Sequence, residues 1–175
     1  YSKAAKETLR SCMRWIPPEE DLYVRWANLL PCPPIDLQQE KRVQTTCLEG
    51  IRSGAILSAH DCSEGGLAIA LAEMSFSHFT ASAKGATIEI PGAHVLENVL
   101  FGEYQSRILV TVKDQDLPVL ERIAHSHSVR ITRIGKVGGN QLRIFVNGSL
   151  VVSQDVRDAE KGWRTSLGHY FESSL

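Results

Sequence analysis

The chain has 175 residues, 43% of them hydrophobic and 22% charged, which fits one globular domain and excludes disordered or collagen-like sequence. Nineteen Lys and Arg against twenty Asp and Glu leave a formal net charge of −1, so the basic excess that recruits nucleic acid or an anionic membrane is missing. No apolar run reaches the ~18–20 residues that span a bilayer, and Tyr1-Ser2-Lys3, with Lys6 and Arg10 behind it, lacks the apolar stretch of a signal peptide.

Residues 1–16 read as an amphipathic helix that Pro17-Pro18 stop, because proline has no amide to donate and clashes inside a helix. Pro31-Cys32-Pro33-Pro34 is a second breaker. We take 1–32 as a leader or linker and 33–175 as the domain, with a helix that packs on a missing neighbour as the alternative for the leader. The chain does not begin with Met, and we expect it to be cut from something longer.

From Asp36 the pattern becomes regular. Asp36 is placed as an N-cap, with Gln39 completing a capping box, and Leu37, Val43, Cys47, Leu48 and Ile51 mark one helical stripe that ends at Gly54. Residues 55–60 have buried-strand character, the loop Asp61-Cys62-Ser63-Glu64-Gly65-Gly66 follows, and a helix runs from Leu67 to Met74 or Phe79. Thr87–Ile90 alternates as a strand and Ile108–Val112 is a β-branched run. A helix from Leu117 to His125 carries Pro118 in its first turn, where a missing amide costs least. Ile131–Val137, Gln141–Val146 and Leu150–Ser153, joined by Gly138-Gly139-Asn140 and Asn147-Gly148, predict a three-stranded meander. A last helix from Asp155 to Phe171 carries Val156, Ala159, Trp163 and Leu167 as a core stripe. Without strict βαβ alternation this is an α/β (α+β) chain: a mixed β-sheet flanked by helices. The cysteines at 12, 32, 47 and 62 have no CxxC spacing, so reduced thiols of a cytosolic protein are expected ahead of two disulfides or a zinc site.

Chemistry concentrates in Ser58 to Glu73. A strand delivers His60 and Asp61 to its carboxyl end, Ser63 offers a hydroxyl, and Gly65-Gly66 let backbone approach a ligand just where a helix begins. A carboxylate beside such a turn suits a magnesium–phosphate ligand, because magnesium takes hard oxygen donors from one or two carboxylates and from phosphate. The plain alternative is a polar cap in which Asp61 or Ser63 satisfies the helix amides. There is no GxxxxGK[ST] loop and no GxGxxG in the chain. His60 is read as a packed or loop-orienting residue rather than a base, Glu73 as a buried partner of Arg107, and His125-Ser126-His127 as a helix end without a metal role.

His60-Asp61-Cys62-Ser63-Glu64-Gly65-Gly66-Leu67, with Ala70-Leu71-Ala72-Glu73, resembles the C-terminal domain of the aminoimidazole ribonucleotide synthetase superfamily. Within it the match is to the synthetase component of phosphoribosylformylglycinamidine synthases. Leu100-Phe101-Gly102-Glu103-Tyr104-Gln105-Ser106-Arg107-Ile108-Leu109-Val110 is similar to that family's Leu-Phe-Gly-Glu-Ser-Gln-x-Arg strand entry. The Pro33-Pro34-Ile35-Asp36-Leu37 opening, the Gly-Gly turn and the Trp-containing last helix agree in order, so the similarity covers residues 33–171.

The resemblance implies an ATP-dependent C–N ligase of purine biosynthesis: ATP phosphorylates the amide oxygen of formylglycinamide ribonucleotide, and ammonia from glutamine displaces the phosphate. It implies Mg2+ and ATP or ADP as cofactors, held with domains absent from this chain. The implied partners are N-terminal-type synthetase domains and a glutaminase component, in the cytoplasm. Carried over by position, Asp61 binds the metal, Ser63, Gly65 and Gly66 the nucleotide phosphates, and Glu103, Gln105 and Arg107 the substrate; no catalytic residue is implied. Tyr104 departs from the family's serine and puts substrate contact in doubt. A vestigial loop on a packing module, or another ATP-dependent enzyme of the superfamily, are the alternatives.

Overall fold

The structure, a computed structural model, describes residues 35–77, 82–91 and 96–172. The leader expected over 1–32, with Cys12 and Cys32, lies outside the described residues.

Helix α1 spans Leu37–Arg52. Asp36 caps it as expected, its Oδ1 accepting from the amides of Gln38 and Gln39 at 2.9 Å each. The capping box does not form, because the Gln39 side chain accepts from Arg42 at 2.7 Å instead of reaching back to the cap. At the other end Gly54 adopts φ 76°, and the amides of Gly54 and Ala55 reach the carbonyls of Ile51 and Gly50. That paired arrangement satisfies two terminal carbonyls and turns the chain sharply into the next strand.

Strand β1 spans Ile56–Asp61 and pairs antiparallel with β3 (Ile108–Val112), with Asp61 opposite Ile108. Between them in sequence lie α2 (Gly66–Ser75), β2 (Ala86–Ile90) and α3 (Leu96–Phe101). After β3 come α4 (Leu117–Ser126), β4 (Gly135–Val137), β5 (Gln141–Val146), β6 (Ser149–Asp155) and α5 (Val156–Glu172). Pro118 stands in the first turn of α4. Asp155 closes β6 and caps α5 through the amides of Arg157 and Asp158.

The strands form two sheets: the β1–β3 pair, and a mixed four-stranded sheet in the order β4-β2-β5-β6. The expected meander is therefore wrong in one link. Strand β2 inserts between β4 and β5, parallel to β5 and antiparallel to β4. Gly138-Gly139-Asn140 thus spans a neighbouring strand, and only Asn147-Gly148, at φ 50° and 76°, makes a tight hairpin. Local turn chemistry cannot announce a strand arriving from some fifty residues upstream.

Two apolar clusters follow from the two sheets. The larger gathers Ile88, Ile144 and Val146 of the mixed sheet against Leu67 and Leu71 of α2 and Val156 of α5. The smaller holds Ala55, Ile56 and Leu120, with Val110 and Val112 packed against it, under the β1–β3 pair between α1 and α4. The chain passes between the clusters three times: between Ile56 and Cys62, between Leu109 and Val110 on β3, and between Ile131 and Ile134.

Several expected core positions are open. Leu57, 58% exposed, sits at a bulge in β1, and Ser58 and Ala59 are exposed as well, because β1 pairs on one side only. On α1 the buried face is Val43, Thr46 and Gly50, whereas Leu37, Leu48 and Ile51 face outward. Trp163 is 54% exposed and meets Phe76 of the core with ring centroids 6.4 Å apart; the Leu167 side chain lies outside the described ones. Nearby, Glu160 accepts from the hydroxyl and amide of Ser77, which holds its carboxyl below the usual range and ties α5 to the end of α2. Among the described residues no helix is long and apolar enough to cross a membrane, and Cys47 and Cys62 are free thiols.

Ile144, fully buried at the centre of the mixed sheet, sets the first test. Ile144→Ala should lower stability by about 2–5 kcal/mol through a cavity in the larger cluster, read as a lower denaturant midpoint at unchanged slope.

Candidate functional site

The two segments singled out from the sequence meet at one end of the β1–β3 pair. Register places His60 and Asp61 beside Leu109 and Ile108, and the Cys62 amide donates to the Arg107 carbonyl at 3.1 Å. Because the strands are antiparallel, the strand-end rule for parallel sheets is not what delivers Asp61; the continuous pairing with β3 does so.

From Asp61 the chain enters the glycine turn and then α2, a helix apolar almost all round and therefore buried. Gly65 and Gly66 adopt φ 76° and 69°, values that L side chains rarely tolerate. Gly66 needs its missing side chain for a second reason: a Cβ there would stand 2.7 Å from the Phe101 carbonyl carbon and 2.9 Å from its Cα. The first turn of α2 thus lies directly against the backbone where α3 ends.

The Gly65 amide donates to Glu103 Oε1 at 2.9 Å, joining the two motifs across 38 residues. Glu103 is accordingly placed as an anchor of the glycine turn. Gly102 is held just as closely, since a Cβ on it would meet Asn98 O at 2.3 Å and the Tyr104 ring at 2.5 Å. Ser106, at φ 60°, donates to Glu40 Oε2 of α1 at 2.6 Å, and Gln44 donates to the other oxygen at 2.7 Å. These bonds, that of Ser106 first, hold the Glu40 carboxyl below the usual range. The segment 102–107 is therefore pinned to the glycine turn on one side and to α1 on the other.

Asp61 points outward. Its side chain is 68% exposed, and His60 Nδ1 lies 3.8 Å from its Oδ1. Neither Asp61 nor Ser63 caps α2, whose N-cap Gly65 has no side-chain bond. Ser63, Glu64 and Gln105 are exposed. The plain reading of this turn as a polar cap is thus set aside.

His60 is a loop-orienting residue. Its Nδ1 lies 2.6 Å from the Asp61 carbonyl and its Nε2 lies 3.1 Å from Glu73 Oε2 on α2. The expected Glu73–Arg107 pair is absent for this reason: Glu73 lies on the turn of α2 that faces β1. Arg107 Nη1 donates to Gly102 O at 3.4 Å, and its guanidinium lies 5.9 Å from the centre of the Tyr104 ring. Cys62 is buried, and burial pushes its thiol up. His127 bonds Glu49 of α1 at 3.0 Å, a tie between helices. Among the described residues no three His, Cys, Asp or Glu side chains converge on a metal position.

Sequence reasoning missed the Gly65–Glu103 and Ser106–Glu40 ties. Nothing in local spacing signals bonds between residues 38 and 66 positions apart. The available clue was that both motifs are polar interruptions flanked by apolar runs.

Comparison with known proteins adds the lineage. The family model described as AIR synthase related protein, C-terminal domain, matches residues 27–147. A phosphoribosylformylglycinamidine synthase subunit PurL of Moorella thermoacetica is 37% identical over 135 residues, 77% of this chain and 18% of that protein. The Synechocystis subunit PurL is 37% identical over 145 residues, 81% of this chain and 18% of its own. The chain thus spans less than a fifth of the length of these relatives. Thermotoga maritima PurL in complex with ADP matches the fold at TM-score 0.61 and 21% identity, over 73% of this chain and 22% of that one. The same protein complexed with FGAR gives 0.60 and 21%, over 69% and 21%. The mixed sheet flanked by helices is the fold these structures share with this chain.

Two outcomes follow from the loop geometry. Gly66→Ala should cost more than the ~1–2 kcal/mol of left-handed backbone alone, because the added methyl meets main chain rather than a movable side chain; thermal denaturation measures it. The stability lent by Glu40 is fully present above its ordinary pKa of 4.5 and is lost as pH falls through the lowered folded value. Ser106→Ala should therefore flatten stability against pH in that acid window, in denaturant titrations run pH by pH.

Proposed function

Since the chain belongs to the family of AIR synthase related proteins, C-terminal domain, we propose that residues 33–175 are the C-terminal-type domain of the synthetase component of a phosphoribosylformylglycinamidine synthase, with 1–32 as a leader. The whole enzyme on this reading converts formylglycinamide ribonucleotide, ATP and glutamine-derived ammonia to formylglycinamidine ribonucleotide, in the cytoplasm. Its N-terminal-type synthetase domains and a glutaminase component are the partners. The names of the PurL relatives and the ADP and FGAR complexes of the Thermotoga protein support it.

One observation carries the local role. Asp61 is outward-facing, makes no cap, and stands immediately before a two-glycine turn that opens a buried helix. A carboxylate left to solvent in that place suits a magnesium–nucleotide. The residues fit the ion: Asp61 supplies one hard oxygen on a solvent-exposed carboxylate, and phosphate oxygens and water complete the set that magnesium accepts. Bound there, the metal neutralises phosphate charge. The chain's own part is to hold the carboxylate by strand pairing, to offer the Ser63 hydroxyl, and to bring Gly65 and Gly66 main chain close to the phosphates. Glu103 fixes the turn from behind, a positioning role; substrate contact through Gln105 remains part of the proposal.

The exposed Leu37, Leu48, Ile51 and Leu57 favour a second reading, a module that acts by packing within the synthetase. The two separate on one variant. In the full-length synthetase, Asp61→Asn should weaken retained magnesium–nucleotide about tenfold or more, the loss of one charge-assisted contact; unchanged nucleotide content leaves only the packing role. The 175-residue chain assayed alone with ATP, ammonia and the ribonucleotide should turn over negligibly, and a measured rate would overturn the assignment of most ATP contacts to other domains.

A further inference from the structure

Arg107 is the unexplained charge of this region. Its half-buried guanidinium has no acid within salt-bridge distance among the described residues. Glu73, its expected partner, is committed to His60, and Glu103 to the Gly65 amide. A guanidinium carries five N–H donors, and among the described residues one is used, in a long 3.4 Å bond to Gly102.

Its mounting is nonetheless firm. The Arg107 carbonyl accepts from Cys62, so the residue is fixed at its root to the turn that carries Asp61. The guanidinium carbon lies over the Tyr104 ring, 5.9 Å from its centroid, and that ring stands close against Gly102. A cation–π contact of this kind biases where a guanidinium sits without consuming its donors. The bulky residue at 104 therefore has a use: it holds a cation ready rather than filling a place meant for a hydroxyl.

We propose that Arg107 binds a terminal phosphate of the ligand at the glycine turn, by paired N–H donors, with Tyr104 as its positioning residue. The inference rests on the reading of that turn as a phosphate-binding element and adds to it a second, metal-independent hold. Asp61 reaches the phosphates through an ion; Arg107 reaches them directly, and the planar fork matches two oxygens of one phosphate.

The test uses the 175-residue chain, with 1H–15N spectra that include the arginine Nε–Hε signals. Inorganic pyrophosphate without magnesium should shift the Arg107 signal saturably. Arg107→Gln should weaken that binding about tenfold or more, with the rest of the spectrum preserved, while Arg107→Lys recovers only part because a point charge lacks the fork. Tyr104→Leu should weaken pyrophosphate less than Arg107→Gln does. Asp61→Asn should remove the tightening that magnesium brings to ADP. No saturable response, or equal affinity in Arg107→Gln, overturns the inference. If magnesium–ADP then still depends on Asp61, the nucleotide reading stands without it; if pyrophosphate depends on Arg107 but Asp61→Asn changes nothing, the phosphate hold stands and the metal role falls.

Discussion

One contact organises this end of the molecule: the Gly65 amide on the Glu103 carboxylate, with Gly66 pressed against main chain at Phe101. It closes two loops onto each other at a distance that admits no side chain between them. A hydrogen bond to a charged acceptor contributes ~1.5–3 kcal/mol where it is shielded, and less near solvent. Its larger effect is geometric. The left-handed glycines are stable in place only while the partner loop stands behind them, and the partner loop is held in turn by Ser106 on Glu40.

The polar site is a by-product of how apolar surface is distributed. Each cluster draws in the helices and strands on its own side and leaves the segments between them to hydrogen bonding. Carboxylates around them are held in defined pairings: Glu73 with His60, Glu40 with Ser106 and Gln44. Asp61, at the end of β1, and Arg107, just before β3, carry charges that these pairings do not use. A carboxylate and a guanidinium rooted on paired strand ends suit a ligand that arrives as a cation and a polyanion together.

Much of this was legible in the residues, and the exceptions are instructive. Asp36, Gly54, Pro118 and Asn147-Gly148 declared their places because cap and turn chemistry is local. The two motif segments were recognisable from their residue types. What failed needed long-range knowledge: that β2 would split β4 from β5, that β1 would pair on one side only, that α1 would turn Thr46 and Gly50 inward and leave Leu48 and Ile51 outside. Periodicity gives a stripe but not its neighbour. The Glu73 partner was misjudged for the same reason, since its choice between His60 and Arg107 is settled by the face of α2 that β1 meets.

The chain crosses between its two clusters three times, and this has a consequence for how the molecule comes apart. No single break in the backbone releases either cluster whole, because each is stitched from stretches remote in sequence. Neither can be excised as a smaller autonomous piece, and the loss of one strips anchoring from the other. Melting should then be all-or-none across both sheets, with folding slowed by the long chain closures that each crossing demands.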